Sequence, residues 1–120
     1  MFDDYADTVT VKDDHVYLPR GPDGVDIFEI STDGLLTLIA NYPASSSSNY
    51  VEVFGNRAYV LGGIDVLDIT DPGQPTLIRQ LPSNGIPHRA KVHEGYLYLA
   101  DGYAGLTVVP LETIKEAETE

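Results

Sequence analysis

The chain has no cysteine, no tryptophan, a single methionine and only seven basic residues in 120. Without cysteine there is no disulfide framework, thiol nucleophile or thiolate metal site, and the redox compartment is left open. With 19 acids against those bases the net charge is -12, and half of it lies at the two ends. No basic groove for phosphates can be assembled, which argues against DNA or RNA as a partner. No apolar run approaches the roughly 18 residues needed to span a bilayer. Met1-Phe2-Asp3-Asp4 opens on acids where a signal peptide would carry bases. The expectation is a soluble chain of unknown compartment.

What the sequence does contain is a repeat. The tyrosine of Ala58-Tyr59-Val60 recurs in Val16-Tyr17-Leu18 and Leu97-Tyr98-Leu99, at separations of 42 and 39 residues. The run Ile64 to Ile69 recurs as Val25 to Ile30 and Leu106 to Leu111, and each copy has a short leader, Val9 to Val11, Val51 to Val53 and Ala90 to Val92. A period near 40 built only of strand-like runs marks stacked β units. The first two copies hold a fourth run, Leu35 to Tyr42 and Thr76 to Leu81. Four strands per forty residues is the economy of a propeller blade. In the third copy the chain after Leu111 reads ETIKEAETE, a poor strand.

The chain is therefore expected to be one all-β domain over 1–120, with blades of four antiparallel strands at 9–42, 50–81 and 89–111, the last incomplete, and an acidic tail at 112–120. In Val25 to Ile30 both faces carry apolar groups and an acid, as in a strand covered in its middle and wet at its ends. Pro19 to Gly24 should leave the sheet, and Pro43 to Asn49 (PASSSSN) reads as a solvent-exposed loop.

The second unit resembles the LVIVD repeat family in Gly55-Asn56-Arg57-Ala58-Tyr59-Val60, Gly63-Ile64-Asp65-Val66-Leu67-Asp68-Ile69 and Thr70-Asp71-Pro72-Gly73-Gln74-Pro75. The third departs from it with Pro110 where Asp68 stands, and the first with Asp14 in place of the glycine and Glu29 in place of the aspartate. The resemblance implies a β-propeller of bacterial or archaeal type and is compatible with a secreted or cell-surface parent. Closed propellers need four to eight blades. Two chains closing a six-bladed ring as a homodimer, with Phe2 to Ala6 of one completing the last blade of the other, is the resulting expectation. A fragment of a longer propeller competes with it.

For function, Tyr17, Tyr59 and Tyr98 read as structural fillers between blades, and Asp68, Asp71 and Pro72 as turn-formers. His15, His88 and His93 lack zinc-site spacing, and neither a nucleophile elbow nor a phosphate loop is present. The residues capable of ligand chemistry on the loop face are Arg20, His88, Arg89, Asp101 and Tyr103. Calcium in a turn is a minor alternative to having no cofactor. The expected role is a noncatalytic scaffold for protein interaction or assembly, self-associating through open blade edges, with a protein or small carbohydrate as ligand. A module of a larger surface protein is the alternative, and a propeller hydrolase comes third.

Overall fold

A computed structural model describes residue 6, residues 8–82 and residues 85–111. Eleven strands and one 3₁₀ turn, Gly102–Ala104, make up the regular structure of the described residues. The strands are β1 (Thr10–Lys12), β2 (His15–Pro19), β3 (Val25–Ile30), β4 (Leu36–Tyr42), β5 (Tyr50–Phe54), β6 (Arg57–Leu61), β7 (Ile64–Asp68), β8 (Thr76–Gln80), β9 (Arg89–His93), β10 (Tyr96–Ala100) and β11 (Leu106–Pro110). They form three antiparallel meanders, β1 to β4, β5 to β8 and β9 to β11. Short β-branched and aromatic runs between tight turns pair with their sequence neighbours because a hairpin costs little loop entropy. Asp13 and Asp14 build the first of these turns with positive φ of 52° and 63°; the equivalent turns use Gly55-Asn56 and Glu94-Gly95.

A sheet with apolar groups on both faces needs a neighbour on each side. The first inter-sheet core joins Tyr17, Val25 and Ile27 to Val51, Val53, Ala58, Val60 and Leu67. The second joins Tyr59, Leu61, Ile64 and Val66 to Ala90, Leu97 and Leu99. Each sheet thus has a leading face, which packs on the sheet that follows in sequence, and a trailing face, which packs on the sheet before it. Thr8 and Thr10 reinforce the first contact by donating their hydroxyls to the carbonyls of Asn49 and Val51, at 2.8 and 2.5 Å. In the second, Glu52 accepts from the Val92 N–H at 3.3 Å, and the Asn49 amide donates to the Pro87 carbonyl at 3.3 Å.

The structure corrects the expected propeller. The sheets are three separate open sheets of four, four and three strands, none curling into a barrel. Both cores join consecutive sheets, and neither brings the third back to the first. Among the described residues the sheets close no ring, which corrects the expected propeller and its six-bladed homodimeric form, because two interfaces between three sheets leave the outermost sheets unjoined to each other. The proposed strand exchange over Phe2 to Ala6 and the acidic tail at 112–120 lie outside the described residues, except for Ala6.

Three local expectations are also revised. Pro19 ends β2 opposite Val25 instead of leaving the sheet. Asp26 is buried, 3% exposed, rather than wet. Ser48 in the serine loop is 1% exposed. Its hydroxyl donates to the carbonyls of Gly21 and Gly24, and its backbone bridges to Gly21, so this loop is tied to the first unit.

Leu97 is fully buried in the second core. Leu97→Ala is expected to cost about 3 kcal/mol, as a large-to-small change in a packed core does. A lowered urea midpoint at unchanged slope checks it.

Candidate interaction surfaces

The β2–β3 and β10–β11 loops share one backbone design, Arg20-Gly21-Pro22-Asp23-Gly24 and Asp101-Gly102-Tyr103-Ala104-Gly105. In each the first N–H reaches the last carbonyl, Arg20 to Gly24 at 2.8 Å and Asp101 to Gly105 at 2.7 Å. Their glycines have matching positive φ, 61° and 84° in one loop and 61° and 78° in the other, a conformation that a β-carbon disfavours. The spacing G-x-x-G in both units was the signal for this shared loop.

Behind the loops sit three buried carboxylates, of Asp26, Asp65 and Asp101. Asp26 accepts from the Arg20 guanidinium at 2.8 Å and from the Asn41 amide at 2.8 Å. Asp65 accepts from the Tyr42 hydroxyl at 2.8 Å, the Ser45 N–H at 3.0 Å and the Ser45 hydroxyl. Asp101 accepts from the Thr107 hydroxyl at 2.9 Å. Arg20 pairs with Asp26 across six residues, and Asp101 pairs with Thr107 across six, so the acid changes side between equivalent positions while the buried link survives. Sequence reasoning passed over Asp26 and Asp65. Their shared place as second residue of β3 and β7 was the available sign.

The structure divides the loop-face residues. Arg20 is turned into the sheet against Asp26, with its other arm 3.9 Å from Asp23. Asp101 is fully buried, whereas Tyr103 is wholly exposed. His88 lies beside the Asp101 loop, where a β-carbon on Gly102 would be 3.8 Å from its Nε2. Arg89 points elsewhere, its guanidinium 5.2 Å from the Tyr50 ring centroid and donating to the His88 carbonyl. A neighbouring open cleft of about 490 Å³ is lined by Gly21, Pro22, Ser46 to Asn49, Gly62 and Ile86, and includes none of these five. Among the described residues, no group of three or more His, Asp or Glu is placed to hold a metal ion. No helix among them is long and apolar enough to cross a membrane.

The turn residues lie at the opposite end of the sheets. Asp68 accepts from the Thr70 N–H and hydroxyl at 2.8 and 2.7 Å, and Asp71 from the Gly73 N–H at 3.0 Å. Pro72 helps line a smaller cleft of about 210 Å³ between the first two sheets, together with Tyr17.

The larger chemical asymmetry is between covered and uncovered sheet faces. Tyr17 and Tyr59 are 3% and 1% exposed on leading faces that meet the next sheet. Tyr98 occupies the same repeat position on the leading face of the third sheet, where Leu106 and Val108 are 71% and 44% exposed. At the other end, Val9 and Val11 at the innermost strand of the first sheet are 57% and 61% exposed, while their equivalents Val51 and Val53 are buried; Phe28, on the same trailing face, is 2% exposed.

The free edge of the third sheet differs from these faces. Leu111 donates its N–H to Gly95 on the β10 side, just as Ile69 donates to Asn56 on the β6 side. The preceding residue must therefore face outward, and in β11 that residue is Pro110. The edge lacks a donor there, a device that discourages strand addition.

Residues 46–81 and 85–110, just over half of the chain, match the family model described as the LVIVD repeat. The chain belongs to the LVIVD repeat family. It is a repeat-containing module, and the match takes in the second and third sheets of the LVIVD chain. A solved structure, that of the computationally designed Ika4 protein, matches with a TM-score of 0.68 at 17% identity, covering 88% of the LVIVD chain. The LVIVD chain spans 65% of that protein's length. At such identity the likeness shows the fold alone, and what this chain brings to it is three open sheets, without the ring expected from sequence. No curated protein matches the chain.

Burial raises the phenol of Tyr17 above its usual range, with Asp13 adding to the effect. Tyr42 is raised by burial and by its bond to Asp65, and Tyr59 by burial against an opposing pull from Arg57. A phenol whose folded pKa is raised contributes stability below its unfolded pKa, and that contribution is lost as pH rises through the folded value. In an alkaline absorbance titration, these three of the eight tyrosines are expected to ionise late, together with unfolding; early titration of all eight would contradict their burial. Asp68 has the opposite sign. Its bonds from the Thr70 N–H and hydroxyl hold it below the ordinary carboxylate range. Its contribution is present above the unfolded pKa and lost as pH falls through the folded one. Asp68→Asn is expected to flatten part of the acid limb of a stability-versus-pH curve.

Proposed function

We propose that this LVIVD-repeat chain is a noncatalytic assembly module, which works by associating with copies of itself through the apolar groups that its outer sheets leave exposed. The observation that carries the reading is the contrast between Tyr17 and Tyr59, sealed by a following sheet, and Tyr98, which no sheet follows among the described residues. Apolar groups that are exposed together gain roughly 25 cal/mol per Å² when covered. Faces, rather than the open edges anticipated from sequence, are the favoured route, since Pro110 interrupts the free β11 edge.

The noncatalytic part rests on how the acids are used. Asp26, Asp65 and Asp101 are buried in hydrogen bonds that hold loops in place. His15 contacts the Asp13 carbonyl at 2.8 Å and His93 lies 3.7 Å from Glu94, so the histidines are dispersed along the turns. The cleft beside the serine loop has serine hydroxyls and apolar walls but no charged lining; a small neutral ligand such as a carbohydrate fits it better than an ionic one.

The same uncovered faces favour a second reading, in which additional repeats of a longer chain cover them. Light scattering after size exclusion separates the two. Self-association is expected to raise the particle mass above the 13.1 kDa of one chain as concentration increases. A mass fixed at one chain across that range would discard it in favour of the longer chain.

A further inference from the structure

We infer that the cleft between the turn ends of the first two sheets binds a small neutral polyhydroxylated compound, of the size of one sugar ring, through the hydroxyl of Tyr17. This goes beyond the assembly reading and does not depend on it. Tyr17 is 3% exposed, with its ring packed in the first inter-sheet core. Its hydroxyl has no hydrogen-bond partner in the protein, although the equivalent Tyr59 is bonded to Arg57 and Tyr42 donates to Asp65. Where the second sheet has Arg57, the first has His15, whose Nδ1 lies 2.8 Å from the Asp13 carbonyl and is held by its own turn. A buried phenol left in this way forfeits a bond to water that nothing replaces, which is the kind of group a ligand satisfies. Among the described residues the one fully enclosed polar side-chain atom without a partner is Asn49 Oδ1. The unpaired Tyr17 hydroxyl is therefore not sealed, and it opens to the cleft that Tyr17 lines.

Size and charge select the ligand. The cleft holds about 210 Å³. At about 30 Å³ per water this is room for about seven waters, on the scale of one sugar ring and too little for a peptide or an oligosaccharide. Val53, Ile69 and Pro72 give it an apolar wall that suits the C–H face of such a ring. Thr70, whose hydroxyl donates to Asp68, can still accept a bond, and Asn56 stands beside it on the rim. Lys12 and Asp13 bring one charge of each sign, so an ammonium ion would gain from one and lose to the other. Burial, and then the Asp13 carboxylate, raise the phenol of Tyr17 above its usual range. The potential that Asp13 sets at the hydroxyl is thus negative and opposes a carboxylate or phosphate there. A phenol kept protonated both donates and accepts, a pairing that another hydroxyl matches.

The test titrates the full chain with glycerol, glucose, galactose and myo-inositol as neutral probes, and with acetate, inorganic phosphate and ethylammonium as charged ones, following backbone amides by nitrogen-15 NMR. A saturable shift at Gly55, Asn56 and Thr70 is expected with at least one neutral probe, and none there with the charged ones. Tyr17→Phe should weaken that binding by roughly tenfold, as loss of one hydrogen bond does. The same change breaks no bond within the protein, so its urea midpoint should not fall, whereas Tyr59→Phe, which loses Arg57, should lower the midpoint. The inference is wrong if no neutral probe saturates at these amides, if a charged probe binds there in preference, or if Tyr17→Phe binds as well as the unmodified chain. A midpoint that falls as far for Tyr17→Phe as for Tyr59→Phe would show the hydroxyl already bonded in the protein and would overturn it too. Light scattering reports self-association separately, so the two readings fail or stand independently.

Discussion

The structure depends on one constraint: a sheet that is apolar on both faces can be buried only by a neighbour on each side. Within this chain the middle sheet satisfies it completely, and the outer two satisfy it by half. Tyr59, Val60, Leu61 and Val66 are sealed because sheets stand before and after them, whereas Val9 and Val11 of the first sheet and Leu106 and Val108 of the third stay exposed. Stability is accordingly uneven. Repeat arrays of this kind distribute their free energy between units and interfaces, so terminal units lacking one interface open most readily.

A second, polar layer locks the loop end. The carboxylates of Asp26, Asp65 and Asp101 would be costly to bury alone, and each has donors from the loop or strand beside it. Asp65 also connects sheets, since Tyr42 and Ser45 come from the chain that leads out of the first unit. The serine loop is thus held at Ser45 by the second sheet and at Ser48 by the first. Acids that serve as internal fasteners in this way are taken up by the hydrogen bonds that hold the loops.

Much of the sheet architecture was legible in the sequence because its signals are local. The tyrosine runs and their leaders, spaced about 40 residues apart, mark the hairpins β1–β2, β5–β6 and β9–β10 that the structure shows. Ring closure could not be read in this way, since it concerns groups outside the three sheets and no local pattern encodes it. The polar layer was hidden for another reason. Asp26 and Asp65 look like solvated strand ends until Arg20, Asn41, Tyr42 and Ser45, up to 23 residues distant in the closest contacts, are folded against them. The five loop-face residues appeared equivalent as a list, but folding turns Arg20 and Asp101 inward, stacks Arg89 on Tyr50 and leaves Tyr103 in solvent.

The most direct measurement is amide hydrogen exchange followed by mass spectrometry at low and high protein concentration. If uncovered sheet faces are the working surfaces, peptides covering β1, β2, β10 and β11 gain protection as concentration rises, while β6 and β7, already enclosed, remain unchanged. Protection confined to β4 and β8, or no change in any peptide, would contradict the account.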